Sequence, residues 1–299
     1  MKNVITDIQR FSLNDGPGIR TTVFFQGCNL RCPWCHNPET IPLRPVLNFY
    51  EAKCIGCGKC FEICPQKAHQ MENGRHIVRK DLCVNCGECA GSCFSEALVM
   101  SGREMTAREV MDEIRQDKLY YEESGGGVTF SGGEALCQPD FTAELAEACR
   151  REGIPTAVET NMCHPFETML PILKKMDVIM LDVKLIDEQE HRRWTGVSNR
   201  MVLENIRKTD DLGIPIILRT PLIPGVTIER ENLRGIAKFA GALKNILYYE
   251  LLNFNPLGEA KYRSLRQENE FEQARPLSKA RLTELASWLE DIPVQVKIK

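Results

Sequence analysis

At 299 residues, with 43% apolar and 26% charged residues, the chain can bury a full core, as one large α/β domain or a domain with an insert. A formal net charge of -3 leaves no basic stripe for nucleic acid, and no apolar run approaches the roughly 18 residues that a membrane-spanning helix needs. Neither a nucleic-acid nor a membrane role is expected. The N-terminal MKNVITDIQRF lacks the apolar core of a secretory signal, so the expected compartment is the reducing cytoplasm, where fourteen cysteines point to metal and not to disulfides.

The first predicted strand is TTVFFQ (21–26), and GCNLRCPWCHN (Gly27–Asn37) follows it directly. Its cysteines, Cys28, Cys32 and Cys35, are one short of the four ligands that a tetrahedral metal or a cubane usually takes. A loop placed after a parallel strand lies at the sheet edge where active sites of such folds collect. A 4Fe-4S cluster held there by three thiolates leaves one iron for a small molecule.

Next come CIGCGKCFEIC and CVNCGECAGSC, the same C-x2-C-x2-C-x3-C motif twice, as in bacterial ferredoxins with two 4Fe-4S clusters. In that fold the fourth cysteine of each run crosses to the other cluster. One cluster is therefore assigned to Cys54, Cys57, Cys60 and Cys93, and its partner to Cys83, Cys86, Cys89 and Cys64. Paired zinc knuckles are the competing reading, but zinc sites rarely use this doubled spacing and supply no crossing ligand.

Beyond residue 101 short β-branched runs alternate with helical patterns. Strands are expected at GVTFS (127–131), PTAVE (155–159), DVIMLDVK (177–184), IPIILRT (214–220), ILYYELL (246–252) and PVQVKI (293–298). Between them AREVMDEIRQD, PDFTAELAEACRREG, FETMLPILKKM, MVLENIRKTDDLG, ENLRGIAKFAGALK and KARLTELASWLED carry helical apolar spacing. Such alternation predicts a mostly parallel sheet, and about six repeats suit a partial (β/α)6 TIM-like barrel better than a closed eight-unit one. Residues 1–45 would start this barrel with the three-cysteine loop. Residues 46–101 would be a ferredoxin-like insert holding two clusters, and residues 102–299 the remainder.

Polar motifs recur at the strand ends: SGGE (Ser131–Glu134), ETN (Glu159–Asn161) and MLDVK (Met180–Lys184). A buried structural role would not favour such groups without partners. With C-x3-C-x2-C and Trp34 before its last cysteine, they resemble the radical S-adenosylmethionine superfamily. DGPGIRTTVFFQGCNLRCPWCHNPE, from Asp15, is similar to the N-terminal signature of glycyl-radical-enzyme activating enzymes, the group that includes pyruvate formate-lyase activating enzyme. GVSN (196–199) and RTPLIPG (219–225) extend the likeness, and the cysteine-rich insert places the chain with the longer members of that family.

The resemblance implies that Cys28, Cys32 and Cys35 hold the catalytic cluster, with Trp34 and His36 beside the adenosyl group of S-adenosylmethionine. It implies Gly132, Gly133 and Glu134 at the cofactor's amino end, Lys184 at its carboxylate, and Asp182 and Arg219 on the cofactor side. Glu159, Thr160, Met180 and Asp182 match a monovalent-cation site, with glutamate where the best-known relative has aspartate. Asn255 replaces a histidine that packs on adenine in that relative. Asp15 and Arg20 match positions near the incoming peptide loop.

The implied reaction cleaves S-adenosylmethionine reductively and takes hydrogen from a glycine of a partner glycyl radical enzyme. A flavodoxin or ferredoxin would donate the electron, and the free protein would be a monomer. Two further readings are a radical enzyme acting on a small molecule or activating a ribonucleotide reductase, and a plain ferredoxin-type electron carrier. The carrier gives no reason for SGGE, MLDVK and the three-cysteine loop to share a sheet edge. Cys149 reads as a core residue, Cys163 as a neighbour of the cofactor end of its strand, and His69, His76, His164 and His191 as solvent-facing or structural.

Overall fold

The computed structural model describes residues 3–299. β1 (Val4–Ser12) pairs antiparallel with β2 (Arg20–Phe25), Ile8 opposite Val23. β1 has no counterpart among the expected strands, because only Val4, Ile5 and Ser12 of VITDIQRFS are buried and the pattern shows no clean alternation.

After β2 and the cysteine loop come β3 (Val46–Phe49), α1 (Lys59–Ile63), β4 (His69–Glu72), β5 (Arg75–Val78), α2 (Glu88–Gly91) and β6 (Leu98–Ser101). β3 pairs antiparallel with β6, Val46 opposite Ser101 and Phe49 opposite Leu98, so the segment starts and ends on one ladder. β4 and β5 form a second antiparallel pair. The single-turn helices α1 and α2 start from Gly58 and Gly87, whose φ angles of 75° and 82° lie where a side chain would be strained. Phe49, Val78, Ala97 and Leu98 make the apolar centre here, and cysteines of both four-cysteine runs pack on it.

β7 (Arg103–Glu104) then returns to pair with β1. The chain continues through α3 (Ala107–Arg115), α4 (Lys118–Ser124), β8 (Gly127–Gly132), α5 (Pro139–Arg151), β9 (Thr156–Thr160), α6 (Phe166–Leu173) and β10 (Val178–Asp182). It ends with α7 (Glu188–Thr195), α8 (Arg200–Asp210), β11 (Ile216–Leu222), α9 (Arg230–Gly241), β12 (Ile246–Asn253), α10 (Glu259–Ser264), α11 (Lys279–Ser287) and β13 (Val296–Ile298). The strands make one nine-stranded sheet, in the order β13-β12-β11-β10-β9-β8-β2-β1-β7. Every neighbouring pair from β2 to β13 is parallel. β7 and β13 are its edges, so the sheet is open.

Alternation along the parallel strands decides which face holds the core and which the chemistry. Val158, Ile179, Leu181, Leu218, Tyr249 and Leu251 point to the main apolar cluster shared with the helices. Ala157, Met180 and Ile217 form a small apolar floor on the opposite face. One step further along that face stand Glu159, Asp182, Arg219 and Glu250, as a two-residue period requires. Among the described residues no helix is long and apolar enough to cross a membrane.

Candidate active site

Backbone bonds across its neck close the three-cysteine loop. Gly27 N–H donates to Thr40 O (2.6 Å) and Cys28 N–H to Ile41 O (3.0 Å). Below the neck the fully buried Gln26 amide reaches Glu39 O (2.7 Å) and Pro42 O (2.8 Å), stapling the departing chain to the returning one. The far end is held by α10: Lys261 Nζ donates to Asn37 Oδ1 and Glu39 Oε1, both at 2.6 Å, and the Tyr262 hydroxyl to Pro33 O (3.0 Å). A loop tied at both ends presents its thiols at fixed positions.

Cys28, Cys32 and Cys35 line one wall of a cavity of about 520 Å³, a size suited to a cofactor. No fourth cysteine lines it among the described residues. Burial pushes the thiols of Cys28 and Cys35 up to about 12 and raises that of Cys32, so ionising them in place calls for a cation. Soft thiolate donors grouped in this way suit an iron–sulfur cluster, and the donor set is complete but for one position.

Trp34 and His36 lie on the same wall, with Asn255 nearby. Trp34 packs on Trp194 and Phe271, each with ring centroids 6.0 Å away. Burial, and then Lys261, lower the His36 pKa. Asn255 Oδ1 accepts from its own Leu257 N–H (3.0 Å), which starts the turn into α10.

Gly132, Gly133, Glu134, Glu159, Thr160, Asp182 and Lys184 line the same cavity. The glycines here are required by close packing: a Cβ on Gly132 would meet Phe25 N at 2.3 Å and one on Gly133 would meet Gly27 O at 2.4 Å. Glu134 is a clamp, because its carboxylate accepts from Leu136 N–H (3.1 Å) and Asn161 N–H (2.7 Å). Its pKa rises to about 7 because burial outweighs those two bonds.

Asn161 in turn donates to Asn29 Oδ1 (2.8 Å) and approaches Cys28 Sγ (4.0 Å), carrying the clamp back to the cysteine loop. Neither Asn29 nor Asn161 is among the sequence-predicted site residues, although both lie within quoted motifs. Their roles depend on side-chain contacts between β9 and the loop, for which one sequence carries no signal.

The charged side chains here are mutually paired. Lys184 Nζ donates to Asp182 Oδ2 (2.9 Å); burial opposes its charge, but Asp182 prevails and raises its pKa. Arg219, 2% exposed, bridges Glu159 (3.0 Å) and Glu250 (2.7 Å). Burial again opposes ionisation of Glu159, yet Arg219 lowers its pKa, and the Ser131 hydroxyl donates to it at 2.6 Å. Met180 is fully buried beneath, opposite Glu159 in register.

Asp15 lies at the cavity margin, where its carboxylate accepts from the hydroxyls of Thr22 (2.8 Å) and Ser12. Arg20 is 3% exposed and turns inward, bonding to Thr129 Oγ1 (2.7 Å), Val128 O (2.6 Å) and Pro17 O (3.1 Å). Desolvation lowers its pKa to about 10. It shapes the 15–20 loop from beneath and does not line the cavity.

Cys54, Cys57, Cys60 and Cys93 all line a second cavity, of about 360 Å³, which Cys89 also borders. Burial and then the neighbouring Cys83, Cys64 and Cys86 raise the Cys89 pKa to about 11. Cys149 is fully buried in the main core, and the Cys163 carbonyl accepts from Asn29 Nδ2 (2.6 Å) beside the cysteine loop. His69 and His191 are buried, and His76 and His164 half-buried, so none is solvent-facing.

The Radical SAM superfamily model matches residues 22–235. The chain is 42% identical over 273 residues to the (2S)-3-sulfopropanediol dehydratase activating enzyme of Klebsiella oxytoca, covering 88% of this chain and 85% of that one. It is 37% identical over 301 residues to the trans-4-hydroxy-L-proline dehydratase activating enzyme of Clostridioides difficile, covering 100% and 99%. Among solved structures, Streptococcus suis SuiB bound to precursor peptide SuiA is similar over 91% of this chain and 46% of that one, with a TM-score of 0.56. At 14% identity this is a likeness of fold alone.

Proposed function

Since the chain belongs to the radical SAM superfamily and, within it, to the activating enzymes of glycyl radical enzymes, we propose the following division of work among its residues. The observation that carries it is a group of three half-buried cysteines lining a cofactor-sized cavity that no fourth cysteine lines among the described residues. Cys28, Cys32 and Cys35 hold a 4Fe-4S cluster. When bound, the cluster supplies the electron that splits S-adenosylmethionine into methionine and a 5'-deoxyadenosyl radical, which takes hydrogen from the Cα of a glycine in the partner enzyme.

Lys184 is the only lysine or arginine lining the cavity among the described residues, and it receives the cofactor's carboxylate. Gly132 and Gly133 keep the amino end of the site narrow, and Glu134 fixes the loop that forms it. Trp34, His36 and Asn255 flank the adenosyl side, while Arg219 holds Glu159 in place from below. Glu159, Thr160, Met180 and Asp182, adjacent in register on β9 and β10, form a monovalent-cation position. Asp15 meets the partner's peptide directly, and Arg20 acts through the loop it supports.

Residues 46–101 are a ferredoxin-like domain with two more 4Fe-4S clusters, one on Cys54, Cys57, Cys60 and Cys93 and the other on Cys83, Cys86, Cys89 and Cys64. They pass electrons from a flavodoxin or ferredoxin. The protein works as a cytoplasmic monomer until it meets its partner, in keeping with fourteen cysteines that form no disulfide.

The test is to reduce the protein anaerobically, add S-adenosylmethionine and candidate glycyl radical enzymes, and record electron paramagnetic resonance spectra. A glycine-centred doublet that requires S-adenosylmethionine is expected with the cognate partner. Release of 5'-deoxyadenosine with no protein radical on any partner would favour the small-molecule reading.

A further inference from the structure

His76, on β5, stands at the wall of the cavity shared by Cys54, Cys57, Cys60 and Cys93. Its Nδ1 lies 3.8 Å from Cys54 Sγ, and its Nε2 lies 3.9 Å from Cys60 Sγ and 2.9 Å from Nδ1 of His69. Phe49 and Phe61 hold the ring from the sides, with centroids 4.5 and 4.8 Å away. Among the described residues, no histidine nitrogen lies within hydrogen-bond range of Cys64, Cys83, Cys86 or Cys89; Cys83 has Asn85 Oδ1 at 4.0 Å. The two cysteine groups are therefore alike in spacing and unlike in surroundings.

A neutral imidazole carries a single N–H, on one or the other of its ring nitrogens. Only one of the two rings can donate across the 2.9 Å contact. If His69 Nδ1–H donates to His76 Nε2, the remaining proton of His76 sits on Nδ1 and faces the Cys54 sulfur.

We infer that His76, oriented by His69, is a hydrogen-bond donor to the sulfur shell of the cluster on Cys54, Cys57, Cys60 and Cys93, and raises the reduction potential of that cluster. This rests on the assignment of that cluster under the proposed function. The physical basis is charge: one-electron reduction makes a thiolate-bound cluster more negative, and an N–H directed at its sulfur stabilises the reduced state more than the oxidised one. The two insert clusters then differ in potential, and an electron rests preferentially on the one beside His76.

The experiment uses the full chain with Cys28, Cys32 and Cys35 changed to Ala, so that only the insert clusters report. The parent should hold about eight irons per chain, and a potentiometric titration followed by electron paramagnetic resonance should give two midpoints. His76→Leu should move one midpoint to more negative potential at unchanged iron content and leave the other in place. His76→Gln, which keeps an N–H donor, should recover most of the shift. Should His76→Leu lose iron, His69→Leu is read instead, since it frees the His76 ring without removing it, and the same midpoint should fall.

Two unmoved midpoints at full iron content overturn the role of His76 and leave the clusters standing. Cys60, His69 and His76 could also converge on a single metal ion. A parent that holds no iron, or one zinc ion that His76→Leu releases, overturns the cluster assignment and this inference with it.

Discussion

Arg219 is 2% exposed and carries its charge between two carboxylates, of which Glu250 is fully buried. Replacing it takes from Glu159 its paired cation and leaves Glu250 to Lys299 Nζ at 3.1 Å, and breaking such a buried pair costs about 3–5 kcal/mol. Arg219→Met should therefore lower stability by that amount in denaturant unfolding; unchanged stability would mean that the pairing is neutral on balance. Motif likeness singles out Arg219, Lys184 and Asp182 as candidates; Lys184 and Asp182 line the cavity, whereas Arg219 does not and reaches it through Glu159. Glu250 and Asn161 were not legible, because Glu250 sits in the apolar run ILYYELL and its partner is set by strand register alone. Arg20 was legible as a position but not in its orientation: the bonds to Val128 O and Pro17 O turn it inward.

At the scale of elements, the tight fit of the SGGE turn against the neck of the cysteine loop couples two segments more than a hundred residues apart. A Cβ at Gly133 would lie 2.4 Å from Gly27 O and 2.9 Å from Thr40 O, both backbone atoms that cannot swing aside. Gly133→Ala should cost about 1–3 kcal/mol by overpacking and reduce iron retention at the three-cysteine site, read by iron content and thermal melting. Wild-type values in both would show that the neck yields.

The parallel strands were readable because β-branched runs between helical patterns have few other interpretations, though IPIILRT begins two residues late, as Ile216–Leu222. α7, EQEHRRWT, was missed because its face toward the sheet needs only His191 and Thr195, too few for an apolar period to register. α10 was missed for a similar reason: with Tyr262 and Ser264 buried it is short, and its importance lies in Lys261 and Tyr262 gripping the loop at residues 33–39.

For the whole molecule, the chain combines an open parallel sheet that carries the cofactor cavity with a cysteine-rich unit inserted between β2 and β7. Anaerobic reconstitution should give about twelve irons per chain, four for each of three clusters; a stable preparation near four would remove both insert clusters. Cysteine spacing marks residues 46–101 as a segment apart, and β3 and β6 pair at its two ends. How that segment seats on the sheet domain is not legible, because it depends on contacts such as Ser264 Oγ to Asn48 Oδ1 (2.9 Å) between residues far apart in sequence.

Under the proposed function three thiolates leave one metal position for S-adenosylmethionine. The sharpest check is the 5'-deoxyadenosine released from the reduced protein and from Cys32→Ala. The intact chain should form it, and the variant should form none while the insert's paramagnetic signals persist. Continued release by Cys32→Ala would rule out a cluster held by these three cysteines as the site of cleavage.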